Sequence, residues 1–184
     1  MNLLLAVLLA ATLYQVEPVN GTVSFSLMKW GVIREEGSFR DFKASIHYDA
    51  REPAKSRVEF EVKATSVDTK NDSRDGTLRS VDFFHVAKHD KLTFRSVRVV
   101  PRTKDVADVT GDLTIKGVTR RITVPVRLLG VTKRRGGGEV VGFETAFKID
   151  RRAFGVTGGR WVAASPGVLG NEVTIRVIAG GEKR

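Results

Sequence analysis

The sequence predicts an all-β protein, folded as a single closed antiparallel barrel of about eight strands. Three observations support this fold class. Apolar and polar residues alternate in eight separate segments of the 184-residue chain, which is the period of a half-buried strand. Short turn motifs separate these segments, so neighbouring strands should pair antiparallel. No apolar pattern of helical period is long enough for a major helix, and closure removes the exposed edges of so many strands.

The alternating segments place the strands in chain order. They are Val23–Leu27, Phe42–Tyr48, Val58–Ala64, Leu92–Val99, Leu113–Ile115, Ile122–Leu128, Val140–Ile149 and Val173–Ile178. Residues that favour turns separate them, at 20–21, 36–37, 49–53, 116–117, 136–138 and 155–159. A barrel of this size is filled by side chains or holds one small ligand.

Only two segments look helical, Arg74–Val86 and Arg151–Phe154. The first carries a compact apolar group, bounded by a polar turn at 68–76 and by a new strand. A phenylalanine pair on a short non-strand segment needs an apolar environment, which the flanking strands must supply. We therefore expect one or two short helices near the barrel mouth and a plug or lid over its interior, formed by Leu78, Val81, Phe83, Phe84 and Val86.

Composition limits the classes of function. The chain is long enough for one domain with a substantial core, and no linker divides it. It has no cysteine, which excludes disulfides, thiolate catalysis and cysteine-ligated metals. A net charge of +10 predicts attraction to anionic partners such as membrane headgroups. The basic clusters Lys133–Arg135 and Arg151–Arg152 lack interleaved aromatic residues, so we do not expect a nucleic-acid partner.

Residues 1–11 form an apolar leader, and we assign residues 12–184 to the barrel domain. The run Leu3–Ala11 is too short to cross a bilayer but matches the hydrophobic region of a secretory signal. It predicts a periplasmic or secreted protein. The alternative is a wrongly assigned start or a buried first strand, and then the protein would stay in the cytoplasm.

Catalytic and metal motifs are weak. His85 and His89 have the spacing of two metal ligands, with Asp82 or Asp90 nearby, but such histidines are more often solvated loop residues. His47 lies in an alternating strand. No nucleophile elbow or isolated carboxylate pair is visible. We therefore expect a non-enzymatic protein without a metal or other cofactor.

The polar segment 68–76 does not match a calcium loop, because its twelfth position is Arg79 instead of glutamate. Arg74, Asp75 and Arg79 are expected to cap the short helix and tie it to the barrel rim. The alternative is recognition of a phosphate by Arg74 or Arg79.

Two segments carry a family resemblance. The stretches 65–84, TSVDTKNDSRDGTLRSVDFF, and 110–119, TGDLTIKGVT, resemble the bacterial YceI-like family, and the likeness extends over nearly all of residues 12–179. It implies a lipocalin-like antiparallel barrel with an elongated apolar tunnel that binds polyisoprenoid chains, such as quinone tails or polyprenyl phosphates, in proteins often exported to the periplasm. The chain departs from the family at Thr77, where histidine is common, at Lys88-His89-Asp90 and at Arg121.

This resemblance leads to two hypotheses. The first is a lipid carrier or sequestering protein that holds an isoprenoid chain and exchanges it with an anionic membrane surface. The second is a ligand-free barrel that acts as a basic structural or interaction module. Whether the chain forms a homodimer stays open. The residues expected to line the tunnel, close it or bind a headgroup are Phe25, Leu27, Phe42, Phe60, Val62, Arg74, Arg79, Phe83, Phe84, Phe94, Leu113, Ile115, Phe143, Phe147 and Trp161.

Overall fold

The computed structural model describes residues 11–184, and the predicted leader lies outside them except for Ala11. Ten strands form one antiparallel sheet: β1 (Thr12–Lys29), β2 (Ile33–Phe39), β3 (Phe42–Tyr48), β4 (Arg57–Lys63), β5 (Val67–Asp68), β6 (Lys91–Pro101), β7 (Val106–Ile115), β8 (Val118–Lys133), β9 (Glu139–Asp150) and β10 (Glu172–Lys183). All but β2 and β5 close an eight-stranded barrel, because β1 pairs with both β3 and β10. The predicted fold class is confirmed.

The long first strand has two successive partners on one of its edges. Thr12–Val16 pairs with β3, and Val23–Lys29 pairs with β2. The predicted turns at 20–21 and 36–37 are wrong, because both dipeptides lie inside strands. The register of β1 against β10 shifts between Val16 and Gly21, so the Asn-Gly pair belongs to a β-bulge. Gly37 in β2 faces Phe25, whose ring fills the space where a Cβ would lie.

Two short α-helices accompany the barrel, α1 (Asp72–Arg79) and α2 (Gly159–Ala164). The first ends earlier than predicted, because the amides of Phe83 and His85 turn back to the carbonyl of Ser80. The second was not predicted, and it begins at Gly159, the last residue of the predicted turn at 155–159. The segment Arg151–Phe154 is a 3-10 helix. Within residues 11–184, the helices are all too short and polar to span a bilayer.

The strand register defines the two ends of the barrel. One end carries α1, α2, the β1–β2 turn and the β7–β8 turn, and we call it the helical end. The other carries the β6–β7 turn at 102–105, the 3-10 helix Pro53–Lys55 and the β8–β9 hairpin, and we call it the hairpin end.

The core follows the alternation of the strands. On β7, for example, Val109, Gly111, Leu113 and Ile115 are buried, while the residues between them are only partly buried. Aromatic rings line the helical half, where Phe25, Phe39 and Phe84 lie in a row with centroid separations of 5.6 and 5.8 Å. The barrel therefore presents one apolar face to its interior.

Candidate functional site: a tunnel through the barrel

The interior of the barrel is hollow. A cavity of about 860 Å³ lies between the strands, and apolar side chains at alternate strand positions form most of its wall. On β8 to β10 these positions are Val124, Val126, Leu128, Phe143, Thr145, Phe147, Ile149, Val173, Ile175, Val177 and Ala179. This volume falls in the usual range for sites that bind small molecules.

The cavity runs from one end of the barrel to the other. Its wall includes Pro53, Lys104 and Asp105 at the hairpin end, and Arg74 and Trp161 at the helical end. The space is therefore an elongated tunnel with an apolar middle and polar residues at both ends.

The helical end is built around α1. Its first turn is capped by Asn71, whose side chain accepts a hydrogen bond from the Arg74 amide, 2.9 Å away. Asp75 is buried and accepts hydrogen bonds from the amide and hydroxyl of Thr69, at 2.8 and 2.6 Å. The predicted cap is thus corrected: Asn71 caps the helix, while Asp75 fixes it to the preceding segment.

The two arginines of α1 make different contacts. Arg79 donates to the carbonyls of Thr65 and Val67, both at 2.9 Å, and so ties the helix to the barrel rim as predicted. Arg74 donates to the hydroxyl and carbonyl of Thr69 at 2.9 Å and pairs with Glu35. Only Arg74 borders the tunnel.

Asp68 anchors the chain just before α1. Hydrogen bonds from the side chain and amide of Lys70, together with those from Arg40, hold the pKa of this carboxyl well below its usual range. The carboxylate is 5% exposed, so its two cationic partners compensate for its burial. The entry to α1 is therefore held by a charged cluster and by the Asp75 contacts.

The phenylalanine pair lies over the same end of the tunnel. Phe83 is buried among Leu113, Ile115 and Phe154, and Phe84 packs on Phe39. Both border the cavity. Of the five residues of the expected lid, Leu78, Phe83 and Phe84 border the tunnel, whereas Val81 is 61% exposed and neither it nor Val86 lines the cavity.

A second segment, residues 155–170, closes the other side of this mouth. The Arg151 guanidinium, 5% exposed, holds it by donating five hydrogen bonds of 2.7–3.2 Å. The acceptors are the carbonyls of Val156, Thr157, Leu169 and Gly170 and the side chain of Asn171. Burial lowers the pKa of Arg151.

Of the fifteen predicted site residues, thirteen border the tunnel. They are Phe25, Leu27, Phe60, Val62, Arg74, Phe83, Phe84, Phe94, Leu113, Ile115, Phe143, Phe147 and Trp161. The other two lie elsewhere. Phe42 is buried and stacks on Phe60, with ring centroids 5.8 Å apart, but does not border the cavity, and Arg79 is engaged by backbone carbonyls outside the tunnel.

Sequence reasoning named thirteen of the 55 residues that line the tunnel and missed about three-quarters of its wall. Val124 and Ile175 lie in segments whose alternation was recognised, and the same parity would have selected them. Val109 lies outside the predicted strand 113–115, and Val99 follows a register shift between Ser96 and Arg98 that reverses the parity set by Phe94. Leu169 and Val156 carried no periodic signal, because they lie in the irregular segment near α2.

The paired histidines do not assemble a metal site. The rings of His85 and His89 lie 5.7 Å apart, edge to face. Among residues 11–184 no cluster of three or more His, Cys, Asp or Glu side chains has the geometry to hold an ion. Burial, followed by the charges of Lys88, His85 and Lys116, lowers the pKa of His89.

Comparison with known proteins identifies the family of this barrel. Residues 14–179 match the model of the YceI-like domain. The chain belongs to the YceI family. A UPF0312 protein of Azotobacter vinelandii is 38% identical over 134 residues, which cover 73% of this chain and 70% of that protein.

Solved structures share the YceI barrel. The crystal structure of BcnA from Burkholderia cenocepacia has a TM-score of 0.79 and 26% identity, covering 90% of this chain and 98% of BcnA. A polyisoprenoid binding domain from Saccharophagus degradans, implicated in plant cell wall breakdown, has a TM-score of 0.73. At 16% identity, over 95% of this chain and 99% of that domain, this last similarity shows the fold alone.

Proposed function

We propose that this YceI protein binds an isoprenoid-type lipid in its tunnel and acts as a lipid carrier or sequestering protein. The observation that supports the proposal is the hollow, apolar interior of about 860 Å³ that extends over the length of the barrel. A long, narrow space of this kind suits an extended hydrocarbon chain. The proposal is of binding alone, without a catalysed reaction.

Burial of the tail supplies the affinity. Each methylene group removed from water contributes about 0.8 kcal/mol, less the cost of ordering the chain. The isoprenoid class comes from the YceI family resemblance, and a structural neighbour of the same fold is described as a polyisoprenoid binding domain. Quinone tails and polyprenyl phosphates are the two ligand classes that we infer.

Arg74 is the residue that we infer to contact a polar headgroup. It lies at the tunnel wall with its side chain 36% exposed, beside Glu35 and Lys29. Arg79 is expected to contribute only by holding α1, because its guanidinium binds the carbonyls of Thr65 and Val67. A phosphate headgroup would compete with Glu35 for Arg74.

The alternative function is a ligand-free basic module, and the net charge of +10 favours it. A module of this kind needs no internal space, and a barrel of eight strands can be filled by its own side chains. The tunnel therefore supports lipid binding over the module. Export to the periplasm or secretion, through the leader at residues 1–11, remains part of the proposal.

Mass spectrometry of lipid extracted from the purified protein tests the function. Two neighbouring substitutions on β10 sharpen it: Val177→Trp places a large ring in the tunnel, while Ile178→Trp places the same ring on the outer face, where Ile178 is 52% exposed. We expect an isoprenoid lipid in the wild type and in I178W, and its loss in V177W. Wild-type protein without extractable lipid, and without uptake of added farnesol, contradicts the proposal.

A further inference from the structure

Exposed apolar side chains are concentrated at the helical end. Eleven large hydrophobic residues are exposed in the described part of the chain, and six of them lie at this end. They are Met28, Trp30, Val32, Ile33, Val81 and Trp161, with exposures from 36% to 79%. Exposed apolar groups on this scale mark an interaction surface.

Both tryptophans of the chain belong to this group. Trp30 is 58% exposed and Trp161 is 54% exposed, and each directly follows a basic residue, Lys29 or Arg160. Trp30 also has a left-handed backbone, with φ of 53°, which is unusual for a bulky residue. The turn thus holds a large ring outward at a conformational cost.

Hydrogen bonds join the two tryptophan-bearing segments at the tunnel mouth. The Trp30 amide donates to the Val168 carbonyl at 3.1 Å, and the Gly170 amide donates to the Met28 carbonyl at 2.7 Å. Lys29 and Trp161 both border the tunnel. Trp161 therefore lies on the rim of the opening, and the two hydrogen bonds hold the exposed turn of Met28 and Trp30 beside it.

The charges on this rim favour an anionic partner. Arg34 and Arg160 are exposed, and neither forms an ion pair with any residue among 11–184. Glu35 is paired with Arg74 and Lys29. The exposed carboxylates of this end are Glu36 on β2, Asp72 on α1 and Asp82 beside Gly159, and the basic side chains Lys29, Arg34, Arg74, Lys88 and Arg160 outnumber these and Glu35 by one. Lys29 also lies 4.5 Å from the centre of the Trp30 ring.

We propose that the helical end docks on the surface of an anionic lipid bilayer, with Trp30 and Trp161 inserted among the headgroups and Arg34 and Arg160 against lipid phosphates. Tryptophan rings favour the membrane interface, and basic residues beside them are attracted by anionic lipid. The role of this surface rests on the proposed function, since the docked mouth would exchange the isoprenoid directly with the membrane.

The fluorescence of each tryptophan can report its own insertion into a membrane. Trp30→Phe and Trp161→Phe each leave one tryptophan, whose emission is recorded with phosphatidylcholine vesicles that contain or lack phosphatidylglycerol. We expect a blue shift with the anionic vesicles in both variants, quenching by brominated lipid, and weaker binding at high salt. The double variant Trp30→Ala with Trp161→Ala should lose about tenfold in vesicle affinity.

A matched control replaces two exposed apolar residues elsewhere on the barrel, Leu129→Ala with Ile178→Ala, and should bind vesicles like the wild type. An equal loss of vesicle affinity in this control, or tryptophan emission that brominated lipid does not quench, would overturn the docking surface. Capture of a protein partner without any binding to vesicles would overturn it as well. Extractable isoprenoid without vesicle binding refutes docking alone. Vesicle binding by a protein with an empty tunnel refutes the lipid-carrier function instead.

Discussion

At the scale of the residue, Arg151 shows how a buried cation can be used as a structural clamp. Its charge is offset by carbonyl dipoles and one amide oxygen, while the neighbouring Asp150 pairs with the exposed Arg152. All five N–H groups of the guanidinium have acceptors on segment 155–171. The side chain therefore fixes the segment that carries Trp161 and α2.

Arg151→Lys should destabilise the protein by about 2 kcal/mol or more, because a lysine ammonium cannot reach the same set of carbonyls and leaves some of them buried without donors. Urea unfolding measures the loss, and hydrogen exchange should rise selectively in residues 156–171. Arg152→Lys is the control, since its exposed ion pair should change stability by less than about 1 kcal/mol. Equal effects of the two substitutions would contradict the clamp.

His89 should make stability depend on pH. Its folded pKa is lowered, first by burial and then by Lys88, His85 and Lys116, so the unfolded chain takes up the proton at a higher pH than the folded protein. The neutral ring therefore adds to the free energy of unfolding above the ordinary histidine pKa of about 6.5. This contribution is lost as the pH falls below that value.

The expected result is a lower urea midpoint at about pH 5.5 than at about pH 7.5, with a smaller difference in His89→Gln. His47→Gln replaces an exposed histidine on β3 and should behave like the wild type. If H89Q and H47Q keep the same pH dependence as the parent, the assignment to His89 fails.

At the scale of the element, local contacts stabilise α1 although its amino-acid composition disfavours a helix. Its eight residues include Gly76 and few good helix formers, yet Asn71 caps it and Asp75 joins it to Thr69. Much of the helix was predictable from the apolar wedge beside it. Its early end was not, because the turn from Ser80 to His85 depends on backbone bonds and on the tertiary site of Phe83.

Gly76→Ala should stabilise the protein by about 0.5–1 kcal/mol, since alanine favours a helix interior and the added Cβ would meet no atom within 4 Å beyond the adjacent residues and the backbone of α1. Thermal unfolding gives the change in midpoint. Gly37→Ala supplies the opposite case: its Cβ would lie 2.4 Å from Cζ of Phe25, so it should destabilise. Destabilisation by G76A would mean that α1 is strained.

At the scale of the whole molecule, strand alternation predicted the closed barrel and the side of each strand that faces inward. It did not distinguish a filled interior from a tunnel, because both place the same apolar residues inward. Phe42 illustrates the limit: it is buried and stacks on Phe60, yet only Phe60 borders the cavity. β2 was missed because Glu35, Glu36 and Gly37 interrupt its alternation, and pairing with β1 supplies its order.

A tunnel of fixed length makes affinity depend on the length of the ligand. Geraniol, farnesol and geranylgeraniol differ by one isoprene unit each, and burying one unit contributes roughly 4 kcal/mol before the cost of ordering the tail. The Kd for this YceI protein, measured by titration calorimetry, should fall by about tenfold or more per unit. The Kd should become constant once the tail exceeds the tunnel, and the heat capacity change should be negative.

In V177W the Kd should become constant at a shorter tail, because the indole blocks part of the tunnel, whereas I178W should match the wild type. Equal Kd values for geraniol and geranylgeraniol in the wild type would place the ligand on the outer surface, since only an enclosed tail gains affinity with each added unit.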